Sequence, residues 1–144
     1  MEPRVNFITL GVDDVAAGRR FYVDGLRWTP LFEEPGEVCF FQVGPGLLLV
    51  LWRRADLAED MHAELGTGRP PAALAHNVGS DAAVVEVVER ARAAGATVLK
   101  EPALTPIFGG FQAYIEDPCG FVWEIAHNPG WSVDPDGTVH IGPT

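Results

Sequence analysis

The chain has 144 residues, 47% of them hydrophobic and 21% charged, which is ordinary globular composition and rules out a disordered tail or a fibre. Ten Lys and Arg against twenty Asp and Glu leave a formal net charge of −10, which repels phosphate backbones and anionic headgroups and sets aside nucleic acid and acidic membranes as partners. The longest apolar run, residues 47–52, falls far short of the ~20 needed to span a bilayer. Glu2 and Arg4 stand where a leader would be basic and then apolar, and the only cysteines are Cys39 and Cys119, so the expectation is a cytoplasmic chain with free thiols.

Residues 5–12 are rich in β-branched and apolar side chains and run into Asp13 and Asp14, either of which can cap a following helix. The pattern predicts a strand, then a helix over 15–24 stopped by Gly25 in a left-handed conformation. Three β-like runs follow, at 28–33, 38–43 and 47–53. Gly44-Pro45-Gly46 forms a three-residue hairpin loop between the last two. Residues 55–69 are polar and compatible with one or two helical turns before Pro70-Pro71 breaks them.

The second half repeats the first. An apolar run at 73–78 leads to a cap at Ser80 or Asp81 and an amphipathic helix with Val84, Val87, Val88 and Ala91 on one stripe, stopped by Gly95. Strands at 96–101, 110–116 and 121–127 follow, the last two joined through Asp117-Pro118-Cys119-Gly120. The order is strand, helix, strand, strand, strand, twice. This predicts an α+β fold of two βαβββ modules forming a cupped mixed sheet with helices outside, as one domain over 1–144. Module one occupies about 5–53, a connector 54–72, module two 73–128, and an irregular tail 129–144, with Trp131 as its pin. One helix covers only one sheet face, so the other face must line a cavity or meet a partner module.

Two segments, ITLGVDDVAAGRRFYVDG (8–25) and GFQAYIEDPCGFVWE (110–124), resemble the vicinal oxygen chelate superfamily. That family includes glyoxalase I, extradiol dioxygenases, fosfomycin-resistance enzymes and bleomycin-resistance binding proteins. The resemblance rests on the Phe21-Tyr22 pair after Asp14, on Asp117-Pro118-x-Gly120-x-x-x-Glu124, and on the paired module order over residues 5–128. It implies a homodimer. It implies no single reaction, because one such scaffold hosts many chemistries.

In metal-dependent relatives four strand positions hold the ion. Carried over by spacing, these fall at Phe7, near Val50, near Ala73 and at Glu124, and only the last can ligate. A divalent ion needs about three or four donors, so the resemblance gives no metal site here, and no other cofactor. A one-residue slip brings in Asn6, Ile8, Leu49, Leu51, Ala72 and Leu74, which changes nothing. Tyr114, Asp117, Pro118, Gly120 and Glu124 also match an extradiol-dioxygenase motif, but its upstream histidine is missing from 105–113.

Counting across the hairpins sets Tyr114 opposite Glu124 and Phe40 opposite Val50. Strand alternation then predicts a lining of Phe7, Thr9, Phe40, Gln42, Leu48, Val50, Trp52, Ala73, Ala75, Asn77, Gln112, Tyr114 and Glu124, an apolar, aromatic pocket with a few polar handles. Glu124 reads either as a general acid or base or as a carboxylate satisfied by Tyr114. Tyr114 reads as a donor to ligand or as a sheet aromatic. Phe40 and Trp52 either stack on a flat ligand or simply pack. His76 and His127 recur in Ala-His-Asn tripeptides on the opposite face, as a metal pair or proton relay, or as structural histidines. His62 and His140 read as surface residues, and neither cysteine has the neighbours of an activated thiolate. Glu33, Glu34, Glu37, Asp56, Glu59, Asp60 and Glu64 read as solvated surface.

Two functions follow. The first is a metal-independent binding protein of the glyoxalase and bleomycin-resistance type, holding an aromatic or amphipathic small molecule between its modules. The alternative is a lyase, isomerase or cyclase using Glu124 as acid or base with Tyr114, or, further off, a metal-dependent lyase or dioxygenase with atypical ligands. The negative surface favours cationic ligands over anionic ones.

Overall fold

A computed structural model describes residues 1–105 and 109–142 of the chain. It comprises two compact units, Met1–Arg69 and Pro70–Thr144.

In the first unit, strand β1 (Phe7–Val12) leads to helix α1 (Val15–Arg19). Of the two candidate caps Asp14 is used, accepting from the Ala17 N–H at 2.9 Å. The helix then widens into a π-helical turn, Arg20–Gly25. This turn carries Phe21 and Tyr22, which are 1% and 0% exposed, into the core. Tyr22 lies 5.0 Å from Trp28 and 5.6 Å from Phe41, ring centre to ring centre. The Phe-Tyr pair that carried part of the resemblance is therefore a packing device, and each such side chain contributes roughly 1.5–3 kcal/mol by burial.

Gly25 was expected in a left-handed conformation, but Arg27 takes it instead, with φ 67°. The strand expected over 28–33 is reduced to β2 (Phe32–Glu34). Trp28 is drawn into the aromatic cluster, and Pro30 has no N–H to offer a ladder. Strands β3 (Val38–Gly44) and β4 (Leu47–Arg53) form as expected. Their loop is two residues, not three, because Gly44 pairs with Leu47 past a bulge. The connector supplies helix α2 (Arg54–Met61), two turns with no buried residue. The sheet order is β1-β4-β3-β2, with β1 parallel to β4 and the other pairs antiparallel.

The second unit repeats this order. Strand β5 (Ala73–Asn77) precedes α3 (Asp81–Ala93), which is capped by Ser80 accepting from the Ala83 N–H at 3.1 Å. Val84, Val88 and Ala91 of α3 are fully buried. They pack on β6 (Thr97–Leu104), β7 (Phe111–Glu116) and β8 (Val122–His127). The sheet order is β5-β8-β7-β6, with β5 parallel to β8. The two sheets are mixed, each has a helix against one face, and the βαβββ order of the α+β fold occurs twice.

The tail is more regular than expected. β9 (Trp131–Val133) pairs with β10 (Val139–Ile141) around Asp134-Pro135-Asp136-Gly137. Asp-Gly between two alternating runs is a hairpin signal that the density of Pro and Gly obscured. Trp131, expected as a pin, is 39% exposed.

Candidate functional site

Alternation along each strand separates a helix-covered face from an open one. In the first unit Leu10, Val12, Cys39, Phe41, Leu49 and Leu51 share one face and are buried. The opposite face carries the expected lining residues in rows fixed by the register. Thr9, Val50 and Phe40 lie side by side across β1, β4 and β3, and Phe32 of β2 extends that row. Phe7, Leu48 and Gln42 form the next row. Trp52 stands between Gly11 and Val38 in a third. Val50 is 3% exposed, whereas Phe7 is 57% and Phe32 56% exposed. Phe32, absent from the expected lining, packs edge-on against Phe40 at 5.7 Å. Gln42 turns back to the Gly44 carbonyl at 3.4 Å.

In the second unit the row through the site runs Ala75, Glu124, Tyr114, Lys100, across all four strands. The adjacent row is Asn77, Ala126, Gln112, Ala103. Glu124 is half-buried. Gln112, with its amide turned so that the nitrogen faces Glu124, donates to Glu124 Oε1 at 2.9 Å and accepts from Lys100 Nζ at 3.1 Å. The Lys100 ammonium lies 5.8 Å from the centre of the Tyr114 ring. Desolvation, the charge of Glu124 and hydrogen bonding to it together raise the Tyr114 pKa above its usual value, so the phenol remains a protonated donor. Asn77 accepts from Asn128 Nδ2 at 2.9 Å.

Besides Phe32, Lys100 is a residue the sequence reading missed. One sequence signal marks it: it is the only lysine in the chain, while its place opposite Tyr114 comes from the strand pairing.

Ala73 pairs with Val122, one row from Glu124. Phe7 and Val50 belong to the first unit's open face, and neither they nor Ala73 has a donor atom. The donor set at these positions does not fit a divalent metal, and among the described residues no three His, Cys, Asp or Glu side chains converge. His76 and His127 lie on the helix-side face, in phase with Ile125. His127 Nδ1 meets Asp81 Oδ1 at 2.7 Å, tying β8 to the first turn of α3, a structural contact.

Asp117, only 3% exposed, accepts from the backbone N–H groups of Cys119 and Phe121 at 2.9 and 3.0 Å. The Asp-Pro-x-Gly motif thus builds the β7–β8 turn and leaves Glu124 as its one member facing the site. Glu33, read from sequence as solvated surface, is held bidentately by Arg19 at 2.7 and 3.2 Å, because β2 brings it beside α1. That guanidinium holds the Glu33 carboxyl below its usual range.

The model of the Glyoxalase/Bleomycin resistance protein/Dioxygenase superfamily matches residues 4–125, and the chain belongs to that family. A glyoxalase-related enzyme from Fulvimarina pelagi is 38% identical, with 97% of this chain and 99% of that one covered and a TM-score of 0.88. A glyoxalase/bleomycin resistance protein/dioxygenase from Nocardioides is 27% identical over 90% of this chain and 89% of that one, with a TM-score of 0.72. A lactoylglutathione lyase from Agrobacterium tumefaciens, 23% identical over 87% and 93% with a TM-score of 0.66, shares the fold. No curated protein matches the chain.

Proposed function

We propose that this chain is a metal-independent small-molecule-binding member of its family, taking an aromatic or amphipathic ligand against its open sheet faces. The observation that carries this reading is the lack of any donor atom in the side chains of Phe7, Val50 and Ala73. Phe7, Val50 and Ala73 occupy three of the four positions where metal-dependent relatives hold an ion, and the fourth, Glu124, accepts from Gln112. What remains on the first unit's face is the apolar and aromatic set of Phe40, Leu48 and Trp52, a composition common in ligand sites. The same reading takes residues 1–144 as one domain, homodimeric and cytoplasmic.

Titrating the protein with planar amphipathic compounds should quench or shift tryptophan fluorescence, and Trp52→Phe should remove most of the change. A panel that leaves the emission unaltered, with no binding by calorimetry, would overturn the reading.

A second reading is favoured by one observation, the pairing of Tyr114 with Glu124. A protonated phenol beside a carboxylate is an acid and a base in one place, which suits a lyase, isomerase or cyclase. The 38% identical neighbour is described as an enzyme. Under this reading Glu124→Gln abolishes turnover and spares ligand binding, while unchanged turnover sinks it.

A further inference from the structure

The row Ala75-Glu124-Tyr114-Lys100 contains one charge of each sign, and the two are treated differently. Glu124 faces donors, from Gln112 and from the Tyr114 hydroxyl. Lys100 faces only neutral groups, the Gln112 carbonyl oxygen and the Tyr114 ring. Among the described residues no carboxylate lies within ion-pair distance of its ammonium, whereas Arg19, Arg53, Arg54, Arg90 and Arg92 each have one. An ammonium has three protons, and the protein accepts one of them. Lys100 is half-buried as a residue, and its ammonium is anchored by the Gln112 carbonyl oxygen at 3.1 Å.

The chain carries nine arginines and this single lysine, in a protein of net charge −10. An ammonium with no carboxylate in contact and two of its protons not accepted by the protein is an acceptor-seeking group on the open face. We infer that this face recognises the carboxylate of a small organic acid, with Lys100 Nζ as the charged donor to it. This rests on the small-molecule reading above and names its ligand class.

One cation matches a monoanion. A phosphate dianion would leave excess negative charge in a chain that is already strongly acidic. Glu124 and Lys100 are joined through the single amide of Gln112, so their charges lie closer than the strand spacing, but they do not touch, and the ammonium keeps two protons for an acceptor on a ligand. Gln112 adds orientation: its carbonyl, locked by Glu124 on one side, fixes where the ammonium sits. The overall acidity of the surface had favoured cationic ligands. The local geometry reverses that preference at this face.

The test compares three probes of one shape: phenylacetate, phenylacetamide and 2-phenylethylamine. Each is titrated into the full chain while amide and side-chain NMR signals of Gln112 and Tyr114 are followed. Phenylacetate should bind at least tenfold more tightly than the amide. Lys100→Met should abolish that preference and Lys100→Arg should keep most of it, while the dispersion of the backbone amide spectrum away from the site reports that all three proteins are folded. Added salt should weaken the acid only. Equal binding of acid and amide with no dependence on Lys100, or preference for the amine, overturns the carboxylate assignment and leaves the binding face standing. If none of the probes moves the Gln112 and Tyr114 signals, the binding reading fails and this inference with it.

Discussion

Tyr114 and Glu124 stand directly opposite one another on neighbouring antiparallel strands, and the carboxylate adds to the burial that keeps the phenol protonated. Burial, the negative charge of Glu124 and hydrogen bonding to it all disfavour the phenolate. A group whose folded pKa is raised stabilises the fold fully below its unfolded pKa, near 10, and that contribution is lost as pH rises through the folded value. The Tyr114 resonance should therefore titrate above the ordinary tyrosine range. Glu124→Gln removes the charge and should bring the midpoint back towards 10. An unchanged midpoint in the variant would show that desolvation alone sets the pKa.

The β7–β8 turn depends on a carboxylate with two backbone partners. Asp117→Ala leaves the N–H groups of Cys119 and Phe121 without their acceptor in a part-buried turn. It should cost about 2–4 kcal/mol in urea unfolding. Gly120 closes the same turn at φ 87°, a conformation that disfavours any Cβ. Gly120→Ala should cost about 1–2 kcal/mol. Unchanged midpoints for both variants would remove the motif from the folding determinants.

The repeated module order was legible because it rests on local signals: alternation in 47–53, the stripe Val84, Val88, Ala91, and glycine at the turns. The facing pairs Phe40–Val50 and Tyr114–Glu124 were also legible. The slip in the first loop, which is two residues long, is absorbed by a bulge at Gln42–Gly44, so the register beyond it is kept. What the sequence hid was non-local. The loss of a strand at Trp28 reflects its capture by Tyr22 and Phe41, and the pairing of Glu33 with Arg19 depends on where β2 comes to rest. Lys100 escaped because residues 97–104 pair with β7 through two register shifts, so plain counting from the helix end does not assign its neighbours.

A steric test is available at Gly110, just before β7. A Cβ built there would come within 2.7 Å of Asn128 Oδ1 and 2.9 Å of the His127 carbonyl oxygen. One of these is backbone and cannot swing aside. Gly110→Ala should cost about 1–3 kcal/mol through local displacement of the chain against β8. Adding Asn128→Gly removes the side-chain clash, so the double variant should regain part of the loss. No recovery would assign the strain to the carbonyl alone.

The two cysteines should differ sharply in reactivity. Cys39 is 1% exposed, and its sulfur lies 3.9 Å from Glu33 Oε2. Burial, and then the nearby carboxylate, push its thiol up to about 11, against a smaller opposing effect of Arg19. The thiolate is the nucleophile, so at pH 8 Cys39 offers almost none of the reactive form and no path to it. Cys119 sits half-exposed in the β7–β8 turn. Iodoacetamide on the native protein should modify Cys119 within minutes to hours and leave Cys39 intact until the chain unfolds, which peptide mass spectrometry resolves. The linkage has a definite sign: a thiol pKa raised on folding contributes stability below the unfolded value, and that contribution declines as pH rises from about 9 through 11. Cys39→Ala should therefore flatten the alkaline limb of the stability profile. Glu33→Gln removes a neighbouring negative charge and should lower the Cys39 pKa. Equal alkylation rates at the two positions in the native state would contradict both the burial and the electrostatics of this site.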